Sequence, residues 1–482
     1  MNIKMIFSTV GKVALIEAGL LALPLITALV YMEWWVAISF AITICIALAI
    51  YGLSKLLFQP KNTIIFSKEG LVIVAFAWII MSCIGCLPFI ISGDIPSFID
   101  AFFETVSGFT TTGASILSDV ESLSRGCLLW RSFTHWIGGM GVIVFITALS
   151  SKNTDRSIHI LRAEMPGPTV DKLVPRAKDT AKILYLIYIA MTVALLIMLL
   201  CGGMTFFDSL LHSLGTAGTG GFGIKNNSLE SYNSYCQWVI AIFMILFGIN
   251  FNLYYLIILG KVKDFFKSGE LWVYLSIILI SVALITGNVL SLYQNFGESL
   301  KHSTFQVASI ISTSGFSTAN FDSWPTLSKS ILLILMFVGG CAGSTAGGFK
   351  VSRVVLLSKG IKREFKRVLH PRNESVIKVN GKRVEETTVR GVLTYLSIYV
   401  LCMVATFLLI SFEPFSLETN LSAVIACFNN IGPGFGSVGP IANYGGYSIF
   451  SKVVLSLAMM LGRLEVYPLL LTILPSTWIK NK

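Results

Sequence analysis

The stretch "SGFTTTGASIL", Ser107–Leu117, places three consecutive threonines and a glycine between two long apolar runs. Threonine and glycine are poor helix formers, so a continuous membrane helix does not account for this part of the chain. Its surroundings are nonetheless those of a bilayer. Hydrophobic residues make up 54% of the 482 positions and charged residues only 13%, and the mean hydropathy is +0.77. A soluble protein of this length needs more polar surface, so the chain reads as an all-α integral membrane protein of several spans.

About 20 apolar residues cross the hydrocarbon as a helix, which predicts ten spans near 11–31, 35–57, 69–92, 128–149, 182–202, 236–259, 271–292, 328–357, 390–412 and 450–474. The start of the chain has the basic-then-apolar order of a signal peptide, but a second span follows at once and a retained first helix is expected. Lys and Arg favour the cytoplasmic side. They gather after the second span (Lys55, Lys61, Lys68), the fourth (Lys152, Arg156, Arg162, Lys172, Arg176, Lys178), the sixth (Lys261, Lys263, Lys267) and the eighth (Lys359 to Arg390). Both termini are therefore predicted to be cytoplasmic, in a multi-pass protein of the cell membrane surrounded by lipid. The net charge of +11 belongs to these clusters and not to a nucleic-acid surface. They are topology determinants or, for the 151–180 and 359–390 loops, docking surfaces for a cytosolic partner. The nine cysteines fall mostly in apolar segments without metal-ligand spacing, as small core residues do.

Repetition gives Ser107–Leu117 its meaning. After two leading spans (1–66) the chain divides into four units of span, short semi-polar segment and span: 67–180, 181–268, 269–388 and 389–482. The short segments are "FIDAFFETVSGFTTTGAS", "FFDSLLHSLGTAGTGGFG", "LKHSTFQVASIISTSGFS" and "LETNLSAVIACFNNIGPGFG". Aligned on one glycine, their ends read Thr111-Thr112-Gly113, Thr219-Gly220-Gly221, Thr313-Ser314-Gly315 and Gly432-Pro433-Gly434, with glycine spacings of 108, 94 and 119. Thirteen and nine positions earlier stand Asp100 and Glu104, Asp208 and His212, His302 and Gln306, and Leu421 and Ile425.

A dozen residues cannot span a bilayer, so each segment is expected to enter from outside and return. Lipid cannot bond the amides of irregular backbone, which must then be buried in protein or line a water-filled path. Four such strands about one axis would form a ring of carbonyls able to replace a cation's hydration shell. Glycine supplies φ > 0 and close approach, Thr and Ser add hydroxyl oxygens, and the C-terminal ends of the short helices favour a cation.

At these residues the chain resembles the bacterial Trk/Ktr/HKT potassium transporter family, specifically its TrkH-type membrane subunit; "WRSFTHWIGGMGVIVF" (Trp130–Phe145) is similar to that subfamily as well. The resemblance implies a pseudo-fourfold pore in one polypeptide and a homodimer. It also implies potassium as the transported ion, with no covalent cofactor, and control by cytosolic TrkA-like nucleotide-binding regulatory subunits. The strands keep only the central glycine of the TVGYG strand of tetrameric potassium channels. Plant relatives that prefer sodium are known for serine at the first filter glycine, so glycine in all four copies here favours potassium.

Two features lie outside the strands. "FVGGCAGSTAGGFK" (Phe337–Lys350) interrupts the eighth span with Gly339, Gly340, Gly343, Ser344, Thr345, Gly347 and Gly348; small residues four apart serve helix packing or mark a broken helix beside a cavity. The resemblance implies the second, a loop that obstructs the pore under the filter and acts as its gate. Arg463 and Glu465 stand in the tenth span, where an ionisable group faces a cavity or a partner. Arg463 matches the family's pore-facing arginine. Asp100, Glu104 and Asp208 either draw cations to the outer mouth or cap the short helices.

The alternatives are a sodium- or proton-coupled potassium symporter of the same fold, a membrane enzyme and a scaffold. No inverted repeat with paired discontinuous helices marks a coupled transporter. The five histidines show neither ligand pairing nor HExxH, and "AGGFK" lacks P-loop spacing. An enzyme is therefore not expected, and any nucleotide acts through a partner.

Overall fold

The structure is a computed structural model and describes residues 1–60, 67–141, 177–370 and 376–478. The far end of the span expected at 128–149 and most of the basic 151–180 loop lie outside the described residues, as do Lys61 and the C-terminal Lys480 and Lys482. The described residues are helical and connecting segments, apart from a two-stranded antiparallel pairing of Lys378–Val379 with Lys382–Arg383.

Six helical segments among the described residues are long and apolar enough to cross a membrane: Ile3–Val30, Trp34–Leu57, Lys68–Ser92, Asp179–Cys201, Gly269–Tyr293 and Glu386–Ile410. Gly269–Tyr293 and Glu386–Ile410 bury only 28% of their most apolar stretch and expose Leu279, Leu284, Leu401 and Leu408, whereas Lys68–Ser92 buries 67%. The first two thus face lipid and the third is an inner helix. This is the pattern of a multi-pass membrane protein.

The spans expected at 236–259, 328–357 and 450–474 are not continuous. The first is Ser234–Phe247 and Phe251–Ile258, bent by 91° at Gly248–Asn250. The second stops at Val338 and resumes at Val351. The third stops at Arg463 and resumes at Tyr467, with Glu465 and Val466 at positive φ. The freed backbone finds partners across the breaks: the Cys341 amide donates to the Gly248 carbonyl and the Phe251 amide to that of Gly343. Two interrupted helices thereby satisfy each other, which is the condition for irregular backbone at this depth.

Four short helices, Phe98–Phe109, Phe206–Gly218, Phe296–Ile311 and Leu417–Phe428, are almost wholly buried toward their C-terminal ends. Side-chain caps start them: Ser97, Thr205, Asn295 and Ser416 accept from the amides of Asp100, Asp208, Gly297 and Thr419. Each is followed in the chain by a helix that packs against it or its strand: Arg125–Met140, Ser234–Phe247, Thr326–Val338 and Ile449–Arg463. The leading helices brace the first of these, since the Glu33 carboxylate accepts from the amides of Arg125 and Gly126. The buried apolar residues form a large cluster uniting the leading helices with the first and fourth units. Separate clusters fill the third and second units.

Packing is close where a glycine meets a helix end. A β-carbon added at Gly138 would lie 1.8 Å from the Phe109 carbonyl oxygen, and one at Gly462 1.8 Å from that of Phe428. Backbone cannot give way as a flexible side chain can. Gly138→Ala and Gly462→Ala are each expected to cost about 1–3 kcal/mol, read as a lowered unfolding temperature of the detergent-solubilised protein; an unchanged melting curve would contradict this packing.

Candidate functional site

The four short helices end in the same way. Thr111, Thr219, Thr313 and Asn430 follow them in the left-handed conformation, at φ of 54°, 53°, 57° and 57°. The next residue's amide reaches back to the helix: Thr112 to Ser107, Gly220 to Gly215, Ser314 to Ser309 and Ile431 to Ala426, at 2.8 to 2.9 Å. This is the six-to-one bond of a Schellman ending. β-Branched threonine is unusual at positive φ, and three of the four copies hold one there.

A glycine at positive φ comes two residues after each of these: Gly113, Gly221, Gly315 and Gly432. These four glycines close a cycle. A β-carbon on Gly113 would lie 2.1 Å from the Gly220 carbonyl oxygen, on Gly221 1.7 Å from that of Ser314, on Gly315 2.1 Å from that of Ile431, and on Gly432 2.6 Å from that of Thr112. The same four line one cavity of about 140 Å³.

The fourth strand is therefore Asn430-Ile431-Gly432, not Gly432-Pro433-Gly434. Gly434 packs away from the cycle, against Ser422 and Val438; Pro433 still lines the cavity. The alignment slipped by two because "GPGFG" copies the glycine-aromatic ending of the second and third strands. Spacing from the helix cap was the better signal. Ser97, Thr205 and Ser416 each stand sixteen residues before the ring glycine only when that glycine is Gly432. In this register Thr419 and Ala423, not Leu421 and Ile425, correspond to Asp100 and Glu104.

Adjacent strands are tied together. The Leu229 amide donates to Ser317, beyond the third strand. Asn430 Nδ2 donates to Thr112 Oγ1 at 3.0 Å, the Tyr444 amide to the Ser115 carbonyl at 2.8 Å, and the Tyr444 hydroxyl to the Gly432 carbonyl at 2.7 Å. His135 spans the first short helix and the second strand, with Nδ1 2.8 Å from the Gly108 carbonyl and Nε2 accepting from the Phe222 amide. That pattern requires the tautomer protonated at Nδ1.

The acidic residues singled out in the sequence are engaged. Asp100 pairs with Lys452 at 2.6 Å, Glu104 with Arg131 at 2.6 Å, and Asp208 accepts from the Tyr232 hydroxyl at 3.0 Å. Lys452 and Arg131 were legible as ionisable groups inside apolar runs; what they pair with was not.

Residues 339–350 form a folded loop against the helix side of the strands. Gly339, Gly343 and Gly348 have positive φ. The Gly347 amide donates to Thr313 Oγ1 at 2.6 Å, and Gly347 itself abuts the Asn429 carbonyl, where a β-carbon would lie 2.6 Å away. Gly340 packs on Ala346 and on the Gly248 carbonyl. Ser344 Oγ donates to the Cys341 carbonyl and Thr345 Oγ1 to that of Phe247. Arg463 pins the loop, donating to the carbonyls of Thr345 at 2.8 Å, Gly138 at 2.6 Å and Gly139 at 2.8 Å. Sequence reasoning missed three supporting groups: Glu270, which accepts from the Ala342 amide; buried Lys350, which donates to the Ala346 carbonyl; and Arg353, paired with Glu465 at 2.6 Å.

Residues 37–268 and 264–481 match the family model for TrkH, described as a cation transport protein. The chain belongs to the TrkH family. It is 35% identical to the Trk system potassium uptake protein TrkH of Salmonella typhimurium, over 99% of this chain and 100% of that one. It is 34% identical to the TrkH protein of Escherichia coli K12 over the same shares. The crystal structure of the potassium transporter TrkH from Vibrio parahaemolyticus superposes with a TM-score of 0.89 at 31% identity, covering 99% of this chain and 100% of that one. The TrkH family is one of transport proteins and not of enzymes, so the cycle of glycines belongs to a cation transporter.

Arg463→Gln removes the charge and the guanidinium fork that spans three carbonyls. With each such charge-assisted bond worth about 1.5–3 kcal/mol, loss of even one is expected to speed amide hydrogen exchange over residues 339–350 about tenfold or more; unchanged protection there would show that Arg463 does not hold the loop.

Proposed function

We propose that this protein carries potassium into the cell through a selectivity filter formed by Thr111–Gly113, Thr219–Gly221, Thr313–Gly315 and Asn430–Gly432. On this reading two leading helices precede four helix–pore-loop–helix repeats in pseudo-fourfold order around one pore. The closed cycle of glycines and neighbouring carbonyls carries the proposal: in it the carbonyls of Thr112, Gly220, Ser314 and Ile431 form one layer of ion ligands in place of water. Thr111 Oγ1 and Asn430 Oδ1 are buried and meet no hydrogen-bond donor among the described residues, which suits oxygens that turn to a cation. The potassium uptake named for the relatives of Salmonella and Escherichia coli supports the choice of ion.

The 339–350 loop acts as the gate. It takes the Thr313 hydroxyl as an acceptor and carries Arg463 beside it, so both its backbone and a fixed positive charge oppose a cation leaving the filter. Opening moves the loop aside and releases Thr313. Cytosolic nucleotide-binding subunits of the TrkA kind supply the opening signal through the basic cytoplasmic loops, in a homodimer with both termini in the cytoplasm.

Flux of potassium and sodium into vesicles containing the purified protein tests both parts. Gly432→Ser is expected to lower the potassium-to-sodium ratio by about tenfold, a change of about 1.4 kcal/mol, while Gly434→Ser leaves it within about twofold; the opposite order would restore the register suggested by the glycine-aromatic pattern. Arg463→Ala is expected to raise potassium flux about tenfold, as a barrier lowered by about 1.4 kcal/mol would. Equal or lower flux at equal protein would remove Arg463 from the gate.

A further inference from the structure

One ion pair near the strands belongs to a single quarter of the cycle. Glu104 and Arg131 are 1% and 3% exposed. Relative to the ring glycine, the counterparts of Glu104 are His212, Gln306 and Ala423. Relative to the helix starts at Ser124, Asn233, Pro325 and Ser448, those of Arg131 are Ile240, Leu332 and Leu455. The other three units thus pack the same place without a guanidinium. A buried ion pair is seldom more stable than a well-packed apolar one, so its presence in one unit calls for a role other than stability.

Its bonds indicate that role. Glu104 Oε1 accepts from Arg131 Nε at 2.6 Å and from Ser115 Oγ at 3.0 Å, and Oε2 accepts from the Ile116 amide at 3.0 Å. Ser115 and Ile116 continue the first strand. Arg131 Nη1 donates to the Gly223 carbonyl at 2.7 Å, and its guanidinium lies 3.6 Å from the Phe222 ring centroid. Phe222 and Gly223 continue the second strand. The planar fork and the carboxylate it grips therefore hold the ends of two adjacent strands at a set separation, Glu104 on the first and Arg131 on the second, through charge-assisted bonds that are short and directional.

We infer that Arg131, with Glu104, is a positioning residue that fixes the spacing between the first and second strands and so sets discrimination between cations of different size. The inference rests on the proposed filter. Lysine keeps the charge beside Glu104 but lacks the fork that reaches the Gly223 carbonyl as well, so Arg131→Lys separates positioning from charge. The paired substitution Arg131→Met with Glu104→Gln removes both charges and leaves none buried alone.

The test is potassium and sodium flux into vesicles of the purified full-length protein, for wild type, Arg131→Lys, the paired variant and Gly221→Ser. Arg131→Lys is expected to lower the potassium-to-sodium ratio about fivefold to tenfold, and the paired variant reads the same quantity should the lysine variant fail to fold. A merely structural role would lower both fluxes together and leave the ratio unchanged, which overturns the inference. If Gly221→Ser shifts the ratio while both Arg131 variants keep it, the inference falls and the filter stands. If none of them shifts it, the filter reading falls and the inference with it.

Discussion

Peptide groups inside a bilayer have no water to bond, and every departure from the helix at that depth must find a partner in the protein. The arrangement of this chain follows from that requirement. Each of the four short helices closes with a six-to-one bond that takes up the amide of the residue before its glycine. The loop at 339–350 is satisfied from four directions: the Gly248 carbonyl, Glu270, Thr313 Oγ1, and the carbonyls of Phe337 and Val338. The irregular segments thus depend on one another, and a change in one is felt by its neighbours through bonds that have no solvent substitute.

The same dependence explains where charge is buried. Arg131, Arg463, Arg353 and Lys452 each bridge elements that no backbone ladder joins: first strand to second through Glu104, the 339–350 loop to the Arg125–Met140 helix, the end of that loop to the last helix break, and the first short helix to the helix of the fourth unit. Arginine stands where one side chain must meet two or three acceptors, whether carbonyls or a carbonyl and a carboxylate, because its fork presents several donors in one plane. Two of these four bridges, Arg463 to Gly138 and Lys452 to Asp100, join the first unit to the fourth, so charge ties the seam between the start and end of the chain twice.

Much of the architecture was legible in order along the chain. Hydropathy located the helices, and the recurrence of a short segment with a glycine near its end located the strands. What misled was local likeness. Gly434 sits in a motif that looks like the second and third strands, yet Ile431 and Asn430 hold the equivalent backbone, and nothing in an isoleucine announces that its carbonyl lies against Gly315. The distance from the Ser416 cap carried the true register, since a helix of set length delivers its end to a set place. Three expected spans proved to be broken because glycine, asparagine and charged residues at Gly248–Asn250, Gly339–Lys350 and Leu464–Val466 are tolerable only as a mutually bonded set, and hydropathy averages over them.

By itself the sequence determined that this is a helical membrane protein of several spans with glycine-containing segments between them, because composition, apolar length and residue order are properties of the chain itself. It also marked the stretch 337–350 and Arg463 as small or ionisable residues where hydrocarbon should be. Only the tertiary structure decided which glycine completes the fourth strand, which carbonyls lie beside which glycines, and that Arg131 and Glu104 join two strands. Those facts are distances between segments a hundred or more residues apart along much of the cycle, and linear spacing constrains such distances only after the helices have packed.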